Sequence, residues 1–237
     1  MEFNISGTDW LSWFYPMGTQ LGTLYQGTQH YPPFIYVWLW PLTLLGPTGG
    51  YVGLVLLSLL VIYLNVKSVP KLLLAVLSLP TLIAISHGNV DALLSLVFLL
   101  PTSLGALIVA CKPQALVVWW TRKWMYEGWK VHSLLPLGIV VIVSFLIWGM
   151  WPTRLGGEML ATKLLVSGWW PWTLLVGIPL LLTNSPLAWL VGGILVVPYL
   201  QFYHLTPLVV YAVKRKGLGV GMGIMVISWV VGVALYG

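Results

Sequence analysis

Residues 51–66 read YVGLVLLSLLVIYLNV, a mostly apolar run that contains no Asp, Glu, Lys or Arg and is followed by Lys67. Its Leu, Val and Ile residues follow one another without the strict alternation of a β-barrel strand, which favours a helix. A helix in lipid satisfies its own backbone hydrogen bonds, whereas an isolated strand does not. The run therefore predicts a membrane-embedded helix, and similar runs recur along the chain.

The composition of the whole chain supports the same conclusion. Of the 237 residues, 59% are hydrophobic and only 7% are charged, and the mean hydropathy is +0.94. Soluble globular proteins carry about 25% charged residues, so that class is excluded. The sequence predicts an all-α protein, a polytopic transmembrane helix bundle in which residues 1–237 form a single integral membrane domain.

The charge balance and the cysteine count limit the binding partners and the metal sites that we expect for this chain. The net charge of +6 comes from 11 Lys and Arg against 5 Asp and Glu. In a membrane protein such an excess reflects basic cytoplasmic turns and anionic lipid headgroups, so membrane lipid and not nucleic acid is the expected partner. The single cysteine excludes an intrachain disulfide, and the four dispersed histidines lack metal-ligand spacing, so no metal centre or cofactor is predicted. A divalent cation held by Asp9 with a phosphate stays open but has no support in the sequence.

Residues 1–50 predict an external loop with interfacial helices. Residues 1–30 are polar and contain no Lys or Arg, which by the charge rule puts them on the non-cytoplasmic side. They show no cleavable signal peptide, because a basic start followed by an apolar core is missing. Residues 34–45 are apolar but too short to span and are interrupted by Pro41, so we expect an interfacial or re-entrant helix that ends in the break Gly46–Gly50.

Residues 51–237 predict the transmembrane bundle. The first crossing is expected over 51–66 with a basic turn at Lys67 and Lys71, and a single return leg over 72–86. Short apolar legs then predict half-helices packed inside a bundle. The remaining expected features are legs at 90–100, 104–111 and 115–120, basic turns at 122–130 and 214–216, an external loop at 151–168, and helices at 134–150, 170–182, 187–197 and 218–236. We expect a multi-pass protein of a prokaryotic plasma membrane with its N-terminus outside the cytoplasm.

Five acids limit the search for chemistry. Asp9 lies in the external loop, where it can act as a base or, with Thr8, cap the helix that starts near Trp10. Asp91 begins a helix and is expected to stabilise that N-terminus through the unpaired N–H groups and the dipole. Glu158 is expected to be a solvated or interfacial residue of the second external loop.

Three cations depart from the predicted cytoplasmic turns: Lys112, Arg154 and Lys163. Lys112 lies between apolar half-helices, where an ammonium is costly unless it has a partner or an anionic ligand. One interpretation is a lysine that extends its ammonium to the outer interface. The other is an anchor for a lipid phosphate, assisted by Arg154 or Lys163. His87 and His204 are assigned to the same face, where each can bind phosphate, relay a proton or simply form an interfacial hydrogen bond.

Three groups of motifs, in this order along the chain, resemble one family. The first is Asp9 with Leu21-Gly22-Thr23-Leu24-Tyr25, Tyr31-Pro32-Pro33-Phe34 and Pro41-Leu42; the second is His87-Gly88-Asn89-Val90-Asp91 with Gly105 and Cys111-Lys112-Pro113; the third is Pro198-Tyr199 with Tyr203-His204-Leu205-Thr206-Pro207. Together they resemble the polyprenol-phosphate-sugar glycosyltransferases of the GT-C superfamily, and most closely the bacterial polyprenol-phosphate-mannose mannosyltransferases. The similarity covers most of the chain.

The resemblance implies a function and a set of site residues. It implies transfer of a sugar, mannose in the closest relatives, from a polyprenyl-phosphate donor to an acceptor on the non-cytoplasmic face, with inversion and with Asp9 as general base. Lys112, His204 and Arg154 would bind the lipid phosphate, because the leaving phosphate needs cations. His87, Asn89 and Tyr31 would contact other parts of the substrates.

One departure from the family keeps a second function open. Family members begin with a transmembrane helix before the catalytic loop and are longer, whereas this sequence starts on the loop. We therefore expect either a partner subunit that supplies the first helix or a reduced relative. In the second case the chain would be a non-catalytic integral subunit that scaffolds a larger membrane complex. A transporter is less favoured, because no paired broken-helix repeat is apparent.

Overall fold

The structure is a computed structural model that describes residues 7–24, 31–154, 170–197 and 201–236. Helix makes up 83% of it, and the described ranges contain no strand, which confirms the all-α class. Contacts divide the chain into two compact units, the first formed by residues 1–16, 41–99 and 202–237 and the second by residues 17–40 and 100–201. Two helices, α1 (Tyr15–Thr19) and α2 (Pro33–Thr43), run across a boundary between these ranges.

The first unit is built around a long helix, α3. Ile62 and Val66 of α3 pack with buried residues of the neighbouring helices, chiefly Val209, Val210 and Val213, to form an apolar core. The elements of this unit are a π-helical turn Trp10–Phe14, α3 (Gly46–Val66), α4 (Val69–Leu77), α5 (Leu79–Ser86), α6 (Asp91–Leu94), 3₁₀ turns Ser95–Phe98 and Phe202–Leu205, α12 (Thr206–Lys216) and α13 (Leu218–Tyr236).

Helix α3 begins earlier than the sequence predicts. The expected break Gly46–Gly50 is the first part of the helix, because Pro47 occupies the first turn, where a missing N–H and a fixed φ are tolerated. The prediction that the helix starts at Tyr51 is therefore wrong. The helix ends at Lys67, whose left-handed backbone (φ +49°) lets its N–H donate to the Tyr63 carbonyl at 2.7 Å.

The return leg predicted over 72–86 is two helices. Helices α4 and α5 meet at an angle of 76°, and the chain is extended at Ser78 between them. Pro80 starts α5, since a proline cannot continue the hydrogen bonding of a preceding helix. The exposed backbone groups of the break are satisfied by α13: Leu79 N–H donates to Ser228 Oγ at 3.2 Å, and the Trp229 indole donates to the Leu77 carbonyl at 2.9 Å.

The second unit contains two of the three short legs that the sequence predicts for the middle of the chain: 104–111 lies in the helix Thr102–Cys111, and 115–120 is part of a longer helix, Pro113–Tyr126. Its elements, beyond its parts of α1 and α2, are a 3₁₀ turn Leu21–Thr23, α7 (Thr102–Cys111), α8 (Pro113–Tyr126), a 3₁₀ turn Val131–Leu134 leading into α9 (Leu135–Trp148), a 3₁₀ turn Trp151–Arg154, α10 (Leu174–Leu182) and α11 (Pro186–Val196). Helices α10 and α11 approach closely because Gly177 and Gly192 leave room for each other's backbone.

The basic residues 122–123 and 214–216 lie in helices and not in the predicted turns. Helix α8 continues to Tyr126, where Lys123 forms an ion pair of 3.3 Å with Glu127 and donates to Thr102 Oγ1 at 2.9 Å. Residues 214–216 form the last turn of α12, where cations interact favourably with the helix dipole.

Two helices are long and apolar enough to cross a membrane, Gly46–Val66 and Val131–Trp148. The bent pair formed by α4 and α5 raises the number to three if it is counted as one broken span. These helices support the coarse prediction of a membrane protein. The number of crossings, their direction and the likeness to a GT-C bundle stay predictions.

Candidate functional site

The acid-bearing segment at the start of the described chain is attached to the turn between α5 and α6. The Gly7 N–H donates to the Ser86 carbonyl at 3.0 Å, and the N–H groups of Asp9 and Trp10 both donate to the His87 carbonyl, at 2.7 and 3.3 Å. Buried carbonyls at the end of a helix need such partners. The backbone alone therefore fixes the position of Asp9 above the end of α5.

The carboxylate of Asp9 does not cap its own helix. Asp9 has helical backbone angles and makes no capping hydrogen bond; instead its Oδ2 accepts a hydrogen bond of 2.5 Å from the side-chain amide of Asn89. Asn89 is buried, while Asp9 is partly exposed. The capping alternative is therefore wrong, and the two residues, 80 positions apart, form one polar pair at the surface of the first unit.

Two aromatic side chains hold the backbone around this pair through hydrogen bonds to main-chain carbonyls. Tyr51 of α3 donates its hydroxyl to the carbonyls of Ile85 and Ser86, at 3.0 and 3.2 Å. The Trp10 indole donates to the Pro47 carbonyl at 2.7 Å. Gly88 has a φ of +67°, and a Cβ there would press on both Trp10 and Tyr51, so the turn holds its shape only with glycine.

An apolar groove adjoins the residues that support this pair. It has a volume of about 500 Å³, and its walls come from α3, α5 and α13. Tyr51 and Ser86 belong both to the groove and to the support of the Asp9 turn. The lining residues are Tyr51, Val52, Val55, Leu56, Leu82, Ile85, Ser86 and Trp229. Almost all of this lining is hydrocarbon, so the groove suits an alkyl or isoprenoid chain.

The remaining candidates of the first unit occupy different environments. His87 is partly exposed in the same turn as Asn89, and its carbonyl is the acceptor for the Asp9 segment. His204 is buried in the 3₁₀ turn Phe202–Leu205, which packs on α5, and its ring meets that of Tyr203 edge-on at 4.9 Å. Asp91 lies in the first turn of α6, as expected for a helix-stabilising acid, and is fully buried.

The second unit holds the other candidate cations. Lys112, between α7 and α8, is only 1% exposed, so it does not extend its ammonium to an interface and that alternative is wrong. Its Nζ lies 5.6 Å from the centre of the Tyr31 ring, within the range of a cation–π interaction. Arg154 is exposed in the turn Trp151–Arg154. Glu158 and Lys163 lie outside the described residues.

Asp9, His87, Asn89 and His204 thus belong to the first unit, and Tyr31, Lys112 and Arg154 to the second. Within the first unit, the structure joins Asp9 and Asn89 directly; within the second, it joins Lys112 and Tyr31. Nowhere in the described ranges do three His, Cys, Asp or Glu residues come together in a way that could hold a metal ion.

Sequence reasoning missed two structural features of the candidate site. Tyr51 and Trp10 hold the Asp9 turn through hydrogen bonds to main-chain carbonyls, and a local pattern does not predict such bonds over more than 30 residues. The groove was also missed, because its walls come from α3, α5 and α13, which include helices far apart in the sequence. The start of α5 did have a sequence signal in Ser78-Leu79-Pro80, a helix-start pattern inside an apolar run.

No family model, curated protein or solved structure is significantly similar to the chain.

Proposed function

We propose that this protein is a membrane glycosyltransferase that moves a sugar, with mannose as the first candidate, from a polyprenyl-phosphate donor to an acceptor hydroxyl on the non-cytoplasmic face. The observation that carries the proposal is the Asp9–Asn89 pair, whose supporting residues Tyr51 and Ser86 also line an apolar groove. A partly exposed carboxylate beside a lipid-sized groove is the arrangement that such a reaction needs.

Asp9 is the proposed general base. A sugar hydroxyl is a weak nucleophile until a carboxylate takes its proton in the transition state. The acceptor oxygen would form a bond to the anomeric carbon while the bond from that carbon to the phosphate oxygen breaks. The proton goes to Asp9, and polyprenyl phosphate leaves with the bonding electrons. One carboxylate is sufficient for this displacement, whereas hydrolysis of a glycoside uses two.

Asn89 is the proposed positioning residue for this base. Its amide donates to Oδ2 of Asp9, and no other hydrogen bond to the carboxylate occurs within the described part of the chain. Oδ1 is therefore available to a substrate hydroxyl. Because Asn89 is buried and its turn is attached to the Asp9 segment by backbone hydrogen bonds, the carboxylate keeps one orientation.

The groove is the proposed site of the donor's lipid chain. Its volume of about 500 Å³ is within the usual range for small-molecule sites, and its apolar walls would replace the lipid environment of the isoprenoid. We expect the polar end of such a chain to lie toward Tyr51 and Ser86, because these two lining residues also support the His87–Asn89 turn.

The residues that we propose as ligands of the lipid phosphate are chosen from their chemistry alone. Lys112 is a buried cation in the second unit, and a buried ammonium is most stable with an anionic partner. It stays the proposed ligand of the lipid phosphate, with Arg154 and His204 as further candidates. His87 and Tyr31 stay proposed contacts to other substrate groups.

The test is sugar transfer in membranes that contain the full chain and a radiolabelled polyprenyl-phosphate sugar. Asp9→Asn keeps the hydrogen-bonding shape but removes the base, so we expect transfer to fall by about 10²- to 10⁴-fold. Glu127→Gln, which changes an acid of the second unit, is the matched control and should keep activity. Thermal unfolding of each purified variant checks that it is folded.

Two outcomes would count against the proposal. Full activity of Asp9→Asn would remove Asp9 from the mechanism. If the parent chain transfers no sugar and instead purifies with other chains at fixed stoichiometry, the non-catalytic scaffold subunit takes the place of the enzyme.

A further inference from the structure

Five basic side chains gather at one end of the first unit, where α3, α4 and α12 pack against one another. Lys67 ends α3, Lys71 lies in the first turn of α4, and Lys214, Arg215 and Lys216 form the last turn of α12. Lys67, Arg215 and Lys216 are exposed, and the other two are partly exposed. We call these five residues the basic cluster.

No carboxylate neutralises the basic cluster within the part of the chain that the structure describes. The ion pair that the described residues do form, Lys123–Glu127, belongs to the second unit. The acids described in the first unit are occupied elsewhere: Asp9 pairs with Asn89 near the opposite end of α3, and Asp91 is buried at the start of α6. Five like charges therefore repel one another at a surface, which destabilises the cluster unless an anion binds.

The first unit holds one of these cations in place with neutral groups. The Lys214 ammonium donates to Asn65 Oδ1 at 3.1 Å and to the Phe98 carbonyl at 3.2 Å. Asn65 is itself fixed, because its amide donates to the Val61 and Ser95 carbonyls, both at 3.0 Å. An ammonium has three donors, so the third N–H of Lys214 can reach a further acceptor.

The repulsion within the basic cluster affects the pKa of Lys214. Burial, and then the charges of Arg215 and Lys67, lower the pKa of Lys214 below its ordinary value. The helix dipole explains why cations suit the end of α12, but it does not explain why Lys67 and Lys71 from two other helices are added to them. An anion that contacts all three helix ends would remove this repulsion.

We propose that the basic cluster binds the phosphate headgroup of an anionic phospholipid. The lipid is preferred to a soluble phosphate because Lys67 directly follows Val66, the last residue of a helix long and apolar enough to cross a membrane. The end of such a helix lies at the level of the headgroups. The exposed apolar residues of α3 and α4 beside the cluster, such as Tyr63, Leu64 and Leu73, would lie against the acyl chains. This site does not depend on the reaction proposed for Asp9.

The test measures lipid binding to the detergent-purified full chain by native mass spectrometry, with phosphatidylglycerol and phosphatidylcholine titrated separately. We expect the parent to prefer phosphatidylglycerol. Each cation near a headgroup contributes about fivefold in affinity. The double variant K67Q/K216Q should therefore weaken phosphatidylglycerol binding by roughly 25-fold on the same basis, while leaving phosphatidylcholine binding unchanged. K67R/K216R keeps the charges and should keep the affinity, and K130Q is the matched control in the second unit.

Three results would overturn the proposal. The first is phosphatidylglycerol affinity in K67Q/K216Q within twofold of the parent. The second is an equal loss in K130Q, which would make the effect one of net charge. The third is displacement of phosphatidylglycerol by inorganic phosphate at the same concentration as the lipid, which would assign the cluster to a soluble anion.

Discussion

Gly50 of α3 lies against Trp10 of the segment that carries Asp9. A Cβ at this position would collide with the Trp10 indole and with the Leu42 carbonyl. Trp10 is completely buried, and the neighbouring carbonyl belongs to the backbone, so neither can move aside without cost. The support of the Asp9 turn therefore depends on the absence of a side chain at one position.

Gly50→Ala is expected to destabilise the protein by about 1–3 kcal/mol, the usual cost of overpacking a tight site. Gly138→Ala in α9 is the matched control, because a Cβ there meets nothing within 4 Å. The measurement is thermal unfolding of both variants in the same detergent. An unfolding temperature of Gly50→Ala equal to that of Gly138→Ala would contradict the close approach.

At the scale of elements, the break between α4 and α5 depends on α13. The N–H of Leu79 has its acceptor on Ser228, and the carbonyl of Leu77 has its donor on Trp229. In an apolar environment an unpaired backbone group is costly. Helix α13 therefore satisfies the break from outside, as a neighbouring helix does in many broken membrane helices.

Ser228→Ala should leave the Leu79 N–H without its partner and lower stability by about 1 kcal/mol. It should also speed amide hydrogen exchange at Leu79, while exchange at Leu72, which donates to the Ser68 carbonyl within α4, stays the same. Gly223→Ala changes an open position on the same helix and serves as the control. Unchanged exchange at Leu79 in Ser228→Ala would mean that α13 does not maintain the break.

Elements of this protein were predictable where an apolar run is long and uninterrupted. The last helix, expected over 218–236, is α13 (Leu218–Tyr236), and that expected over 134–150 is α9 (Leu135–Trp148). The errors came at glycine and proline residues, which occur both in loops and at the start of helices. Gly46–Gly50 resembles a loop by composition, yet Pro47 in a first turn starts a helix.

The residue types of the candidate site were predictable, but their pairing was not. Asp9 and Asn89 were both selected from their motifs, and the alternative of an N-cap was equally consistent with Thr8-Asp9. The hydrogen bond that decides between them spans 80 positions. No periodicity or capping rule reaches so far, because it concerns neighbours along one element.

At the scale of the whole molecule, α9 offers the cleanest test of the membrane assignment. Only 11% of the apolar stretch Val131–Trp148 is buried within the protein, and Leu146 is 81% exposed. A helix with so much apolar surface is stable when lipid covers it. The two ends of the span should therefore face opposite sides of the membrane.

Labelling of introduced cysteines can check this. In a Cys111→Ala background, Lys130→Cys and Thr153→Cys place one thiol just beyond each end of the span Val131–Trp148. A membrane-impermeant maleimide applied to intact cells should label Thr153→Cys and not Lys130→Cys, because the predicted external loop begins at residue 151. Labelling of both positions would show that α9 does not cross, and the opposite pattern would reverse the predicted topology.

The 76° angle between α4 and α5 has a geometric consequence for access to the groove. At about 1.5 Å per residue, the two helices would reach roughly 26 Å in a straight line but only about 20 Å when bent. The bend thus turns α5 away from the direction of α4. The groove lies between this turned helix, α3 and α13, with Trp229 among its lining residues. Because the groove is open to the surface of the first unit, an alkyl chain can occupy it without movement of the surrounding helices.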